Sequence, residues 1–236
     1  MSDNFGSVDA AIVKLDMCEE AKVYNYEWFH DLSYRRLSPE LTFLKQFDWG
    51  TYVPKIHKVL HVGAGAGAGF RYMKGCGFEV HACDIASMLS VDYADMPGRF
   101  RVAEAHNLPY ATGEFDLVVC CDVLEHTKPQ YVLKSFQEIY RVTKSGVLWS
   151  VCCAPSNHAA GLHLTVQKPA WWLGAMVQPD FEHEVYAAVP NLICVSHKKV
   201  VKNADGPNNR DETGEICNNS SSGGSESIPS SVSGAE

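Results

Sequence analysis

The residues best suited to chemistry lie between positions 59 and 163. Val59-Leu60-His61-Val62-Gly63-Ala64-Gly65-Ala66-Gly67-Ala68-Gly69 runs from a short apolar strand pattern into glycines at every second position. Glycines let a chain turn sharply from strand to helix and let a ligand come close to the backbone. The helix that follows would present unpaired N–H groups suited to a phosphate or carboxylate. Asp84 ends the next apolar run, 21 residues after Gly63. An acid at that point can accept both hydroxyl hydrogens of a ribose. A glycine run alone also occurs in plain loops and close packing; with Asp84 it points to an adenosine-type ligand.

A second group of polar residues follows. Glu104 lies in Ala103-Glu104-Ala105-His106-Asn107-Leu108-Pro109-Tyr110, and Cys120-Cys121-Asp122-Val123-Leu124-Glu125-His126 closes a later apolar run. His158 and His163 come after the next strand pattern, near where ligands bind in open parallel sheets. His126 or His163 could accept a proton from a substrate, although lone loop histidines are often bystanders. Glu125 and His126 also suit the start of the next helix, where acids are favoured. No residue cluster in the sequence requires a metal.

The elements that must position these residues alternate. Strand patterns at 57–62, 78–83, 99–103, 115–121 and 147–153 are separated by helix patterns at 67–75 and from Thr127-Pro129 onward. In the latter, Val132, Leu133, Phe136, Ile139 and Tyr140 fall on one face. Residues 168–178 read as a helix carrying Trp171 and Trp172, and 185–189 with 192–195 as a closing hairpin. The implied fold is α/β, a doubly wound and mainly parallel sheet with an antiparallel terminal hairpin. Residues 1–50 read as helical, with Ser38-Pro39-Glu40 as a helix start and an aromatic cluster at Tyr24, Tyr26, Trp28, Phe29 and Tyr34.

Composition narrows the classes of function. The chain has 236 residues and a formal net charge of −8. Residues 203–236 hold six acids and one Arg, so residues 1–202 are nearly balanced, which argues against a nucleic-acid-coating surface. Those last residues include eight serines and no aromatic, and read as a disordered acidic tail. A chain truncated after Lys202 is therefore expected to keep its melting temperature in calorimetry. The nine cysteines contain no CxxC, and Cys120-Cys121 and Cys152-Cys153 sit within apolar runs. They read as small buried residues of a reducing compartment. With no signal-peptide pattern and no apolar stretch near the roughly 20 residues of a membrane span, the expected location is the cytoplasm.

Residues 57–155 closely resemble the class I S-adenosylmethionine-dependent methyltransferases, above all the type 11 group. The resemblance rests on the glycine motif, Asp84, Glu104-Ala105 followed by Leu108-Pro109-Tyr110, and Phe115-Asp116-Leu117-Val118 leading to Val123-Leu124-Glu125-His126. It implies a methyltransferase domain over 51–202, with residues 1–50 as a helical cover and 203–236 as the tail. It also implies that Gly63, Gly65 and Gly67 surround the methionine end of S-adenosylmethionine, Asp84 holds the ribose, and Ile85 packs on the adenine. Glu104 would receive the adenine amino group, the Ala105 N–H would meet a ring nitrogen, and Cys121 would lie beside the methionine moiety. His61 stands where the family usually has an acid facing the cofactor's ammonium group. A neutral imidazole can accept that hydrogen bond, so cofactor binding is expected to weaken below about pH 6.5, and His61→Asp to tighten it. The methyl acceptor is expected to be a small molecule, with His126 or His163 as base where one is needed. Two other readings are open: a catalytically silent cofactor-binding partner protein, and a nicotinamide-dependent oxidoreductase, since Gly63-x-Gly65-x-x-Ala68 also fits the dinucleotide pattern.

Overall fold

The computed structural model describes residues 19–30, 39–47, 49, 56–87, 93–156, 161–187 and 191–199. The chain divides into Met1–Val200 and Val201–Glu236, and every described residue belongs to the first unit. The expected tail, Tyr34, His158 and the side chains of Trp28 and Phe29 lie outside the described residues.

Helices α1 (Glu19–His30) and α2 (Pro39–Gln46) precede the first strand. Then follow β1 (Lys58–Val62), α3 (Ala68–Gly75), β2 (Glu79–Asp84), β3 (Phe100–Val102) and β4 (Phe115–Cys121). A 3-10 turn, Leu124–His126, leads to α4 (Pro129–Val142) and β5 (Thr143–Cys152). Helix α5 (Pro169–Met176) and strands β6 (Phe181–Ala187) and β7 (Asn191–Lys198) complete the unit.

The seven strands form one sheet in the order β3-β2-β1-β4-β5-β7-β6. The first five pair in parallel, while β7 runs antiparallel to both β5 and β6. Strand order reverses between β1 and β4, and ligands bind open parallel sheets in the crevice beyond the carboxyl ends at such a reversal. The glycine loop after β1 and the turn after β4 both open there.

Because side chains alternate across a strand, each buried run feeds two cores. Leu60, Val62, Val118, Cys120, Trp149 and Val151 pack with Phe136 and Ile139 of α4 and Trp172 of α5. Val59, Val80, Ala82, Leu117, Val119 and Cys121 pack on the opposite side with Leu44 of α2 and Phe70 and Met73 of α3. Cys120 and Cys121 therefore go to opposite faces, as adjacent strand residues must, and neither pairs with the other. Trp172 is fully buried and Trp171 is exposed, since successive residues of a helix point about 100° apart.

Two boundaries differ from the sequence pattern. Strand β5 begins at Thr143 because α4 passes straight into it, the backbone switching to extended geometry at that residue. Lys144-Ser145-Gly146, ahead of the 147–153 strand pattern, belongs to the strand, and Gly146 lets β7 approach: a Cβ there would stand 2.7 Å from the Ser196 carbonyl oxygen. Strand β6 begins at Phe181, earlier than its apolar pattern, because this edge strand buries only that first residue fully while its other side chains are half-buried or exposed.

Candidate active site

The loop after β1 is fixed from below. The N–H groups of Gly63 and Ala64 both donate to the Cys83 carbonyl, at 2.8 and 3.2 Å, and Gly67 N–H to the Ala64 carbonyl at 3.0 Å. The Tyr93 hydroxyl donates to the Gly65 carbonyl at 3.2 Å, and the Arg71 guanidinium to the Ala66 carbonyl at 2.7 Å. Gly63 and Gly65 both have left-handed φ, +66° and +50°. Their surroundings are opposite. A Cβ on Gly63 would overlap Val123 Cγ2, whereas a Cβ on Gly65 would meet nothing within 4 Å. Gly63 thus brings the β1 and β4 loops into contact, and Gly65 presents bare backbone to open space.

Asp84 closes this cradle. Its Oδ2 accepts the Gly65 N–H at 3.1 Å and its Oδ1 accepts the Ala86 N–H at 3.0 Å. Burial raises its carboxyl above the ordinary aspartate range, and the backbone N–H groups oppose that. A carboxylate has about four acceptor sites, so capacity remains for ribose hydroxyls. Half-buried Ile85 follows directly.

Glu104 and Ala105 lie just past β3. The Glu104 carboxylate meets His106 Nε2 at 2.8 Å, and the His106 ring stacks on Tyr131 with centroids 4.2 Å apart. Ala105 packs against the α4-side core. The segment Leu108-Pro109-Tyr110 is clamped to α4: Glu138 accepts the Leu108 N–H at 3.1 Å, while Arg141 donates to the carbonyls of Leu108 and Tyr110 at 3.1 and 2.8 Å. Arg141 also bonds Glu138, chiefly for which reason that carboxyl is held down at about 2. These bonds hold the backbone of the segment that follows Glu104-Ala105 against α4.

His61 lies beneath the glycine loop, 1% exposed, with its Nδ1 unpartnered. Its Cε1 and the Glu40 Oε1 from α2 stand 2.8 and 2.9 Å from where a Cβ on Gly69 would be. Glu40 is the residue that sequence reasoning missed here. It reads as a first-turn acid of α2, and only packing brings it to His61. Burial pulls the His61 pKa down to about 4 in the chain itself. The expectation that His61 makes ligand binding weaken below about pH 6.5 is therefore corrected, since the imidazole is already neutral there. His61→Asp would also set a second carboxylate near Glu40, so tighter binding is no longer expected from it. What titrates instead is stability. The folded pKa lies below the unfolded value of 6.5, so stability is fully present above pH 6.5 and is lost as pH falls toward 4. The loss amounts to about 2 kcal/mol at pH 5. Melting curves at pH 7 and pH 5 should show a smaller drop for His61→Asn than for the natural chain.

At the end of β4, Cys121 is buried on the α3 side. Asp122 takes φ 53°, rare for a residue with a Cβ, and its Oδ1 accepts the Ser150 hydroxyl at 2.6 Å. Glu125 is fully buried and does not serve a helix start. Its Oε1 accepts the Cys152 N–H at 2.8 Å, while its Oε2 is buried without a partner. Burial, then the nearby Asp122 carboxyl, push Glu125 up to about 8. His126 Nδ1 bonds the Leu162 carbonyl at 3.0 Å and His163 Nδ1 the Ala154 carbonyl at 2.7 Å. The two rings meet edge to face, centroids 4.9 Å apart, and burial followed by His163 lowers the His126 pKa to about 4. The structure therefore gathers Gly63, Gly65, Gly67, Asp84 and Ile85 at one end of the crevice, and His126 with His163 beyond β4.

Residues 60–150 match the family model described as "Methyltransferase domain". None of the curated proteins matches the chain. Solved structures share the fold. A Pyrococcus horikoshii protein superposes with TM-score 0.57 at 16% identity, covering 74% of this chain and 99% of its own. An S-adenosylmethionine-dependent methyltransferase from Mesorhizobium loti gives 0.52 at 14% identity, covering 68% and 98%. A chain from the Haloferax volcanii complex that contains the Trm112 methyltransferase activator gives 0.56 at 12% identity, covering 76% and 96%. Among the described residues no helix is long and apolar enough to cross a membrane. The sheet order and the glycine loop agree with that match: residues 60–150 are similar to the methyltransferase-domain family, and the unit has the fold of these solved structures.

Proposed function

We propose that this chain is an active enzyme that transfers a methyl group from S-adenosylmethionine to a small-molecule acceptor, leaving S-adenosylhomocysteine. The observation that carries the reading is the cradle itself: bare backbone at Gly65, with Asp84 bonded to the same residue's N–H and keeping acceptor capacity toward the open side. When bound, S-adenosylmethionine supplies a methyl carbon on a sulfonium leaving group. The protein's share is then alignment and exclusion of water. Asp84 would fix the ribose, Ile85 and the Glu104-Ala105 segment the adenine, and the glycine loop the methionine end. A base is needed only for an acceptor that must lose a proton. His126 and His163 stand on the β4–β5 side of the crevice, each with Nδ1 on a backbone carbonyl, which leaves Nε2 as the proton-accepting nitrogen.

The near-balanced charge of residues 1–202 supports a small acceptor over a nucleic acid. A test is to incubate the protein with methyl-labelled S-adenosylmethionine and a cell extract split into small-molecule and macromolecular fractions. Label is expected in the small-molecule fraction. Label confined to macromolecules would refute the acceptor class, and no protein-dependent label in either would favour the catalytically silent reading.

A further inference from the structure

Beyond the crevice floor, Glu125, His126 and His163 converge, one ligand atom of each lying within 4.8 Å of the others. We propose that these three residues bind a divalent first-row transition-metal ion of the Zn2+ class. Three independent features point there.

The first is the orphan oxygen. Glu125 is fully buried, and with Oε1 committed to the Cys152 N–H its Oε2 has no partner. Natural folds rarely leave a buried carboxylate oxygen unsatisfied, and a cation is one of the few groups that would satisfy it. The second is imidazole orientation. Both Nδ1 atoms lie on backbone carbonyls, at 3.0 and 2.7 Å, so both N–H groups donate there and both Nε2 lone pairs are left for a ligand. Metal-bound histidines are held in this way by backbone or carboxylate acceptors. The third is rigidity. The N–H groups of Leu164 and Thr165 both donate to the Glu125 carbonyl, at 2.8 and 2.9 Å, and the Thr165 hydroxyl to the Thr127 carbonyl at 2.7 Å. The His163 loop is thereby stapled to the turn that carries Glu125 and His126, though 37 residues separate the two histidines.

Two imidazoles and one carboxylate suit Zn2+, Co2+ or Fe2+ better than Mg2+ or Ca2+, which prefer all-oxygen sets. Ligand atoms on one Zn2+ stand about 3–4 Å apart, so closure asks for about 1 Å of side-chain movement. Three protein ligands leave a coordination position open. The nearby Asp122 carboxyl, which acts electrostatically on Glu125, adds negative charge. The inference goes beyond the methyl-transfer reading: with the metal bound, both Nε2 atoms are ligands and no longer serve as the base. It is measured without cofactor or turnover, so binding of metal and transfer of methyl can fail separately.

The test is calorimetric titration of the metal-stripped full chain with Zn2+ and, separately, Mg2+, together with visible absorption after Co2+ addition. One Zn2+ per chain should bind, with affinity reduced about tenfold or more in Glu125→Gln and in His163→Gln. The Co2+ adduct should show d–d bands without thiolate-to-metal charge transfer, the band that binding at the exposed Cys76 would give instead. Circular dichroism establishes that each variant is folded, and either folded variant suffices. Equal Zn2+ affinity in a folded variant, a thiolate spectrum, or Mg2+ binding as tight as Zn2+ would overturn the proposal.

Discussion

Asp84→Ala is expected to weaken S-adenosylhomocysteine binding by roughly 10- to 100-fold, the value of a charged acceptor lost from the ribose hydroxyls, about 1.5–3 kcal/mol. The same substitution should cost little stability. Two N–H bonds to Gly65 and Ala86 disappear. Against that, burial raises the Asp84 carboxyl, so the folded chain carries a desolvated charge that the variant no longer has. Large loss of affinity with small loss of stability is the mark of a residue kept for a ligand rather than for the fold. Paired calorimetric titration and melting curves separate the two effects. If affinity and melting temperature fall together, Asp84 acts by shaping the loop. If affinity is unchanged, it is outside the site.

The largest effect on stability is expected at Gly63. A methyl group there must accept φ +66°, costing about 1–2 kcal/mol, and must also displace Val123, whose β-branched side chain has little freedom to turn away. Overpacking of this kind adds about 1–3 kcal/mol. Gly63→Ala should therefore lower the melting temperature by roughly 5–15 °C for a unit of this size. The double variant Gly63→Ala/Val123→Ala removes the overlap but not the backbone cost, so it should recover part of the loss, a coupling that a double-mutant cycle measures. Gly65→Ala provides the contrast: its φ is also positive, yet its Cβ meets nothing, so it should cost about 1 kcal/mol of stability while obstructing the ligand's approach. Should Gly63→Ala melt like Gly65→Ala, the contact between the β1 and β4 loops would carry no weight.

What could be read from the sequence is what depends on neighbours along the chain. Apolar alternation located the strands to within a few residues. Glycine spacing with Asp84 marked the carboxyl ends of β1 and β2, because a strand-to-helix turn and a strand-end acid are local features. What could not be read depends on distant partners. Glu40 looks like a helix-start acid and reaches the far side of β1 only through the packing of α2 on α3. Glu125 also looks like a helix-start acid, yet its carboxylate goes to the Cys152 N–H of a neighbouring strand. Leu108-Pro109-Tyr110 reads as part of a ligand motif, whereas its backbone is held by Glu138 and Arg141 one helix away. His126 and His163 meet only because the loop after β5 folds back over the turn after β4. In each case the residue type was visible and the partner was not, since burial and long-range hydrogen bonds decide which charge faces which.

The central claim, that the crevice at the carboxyl ends of β1 and β4 is an S-adenosylmethionine site, is tested most directly by calorimetric titration of the purified chain with S-adenosylhomocysteine and with NAD. S-adenosylhomocysteine should bind and raise the melting temperature as its concentration exceeds Kd, and NAD should do neither. Stabilisation by NAD with no response to S-adenosylhomocysteine would contradict it.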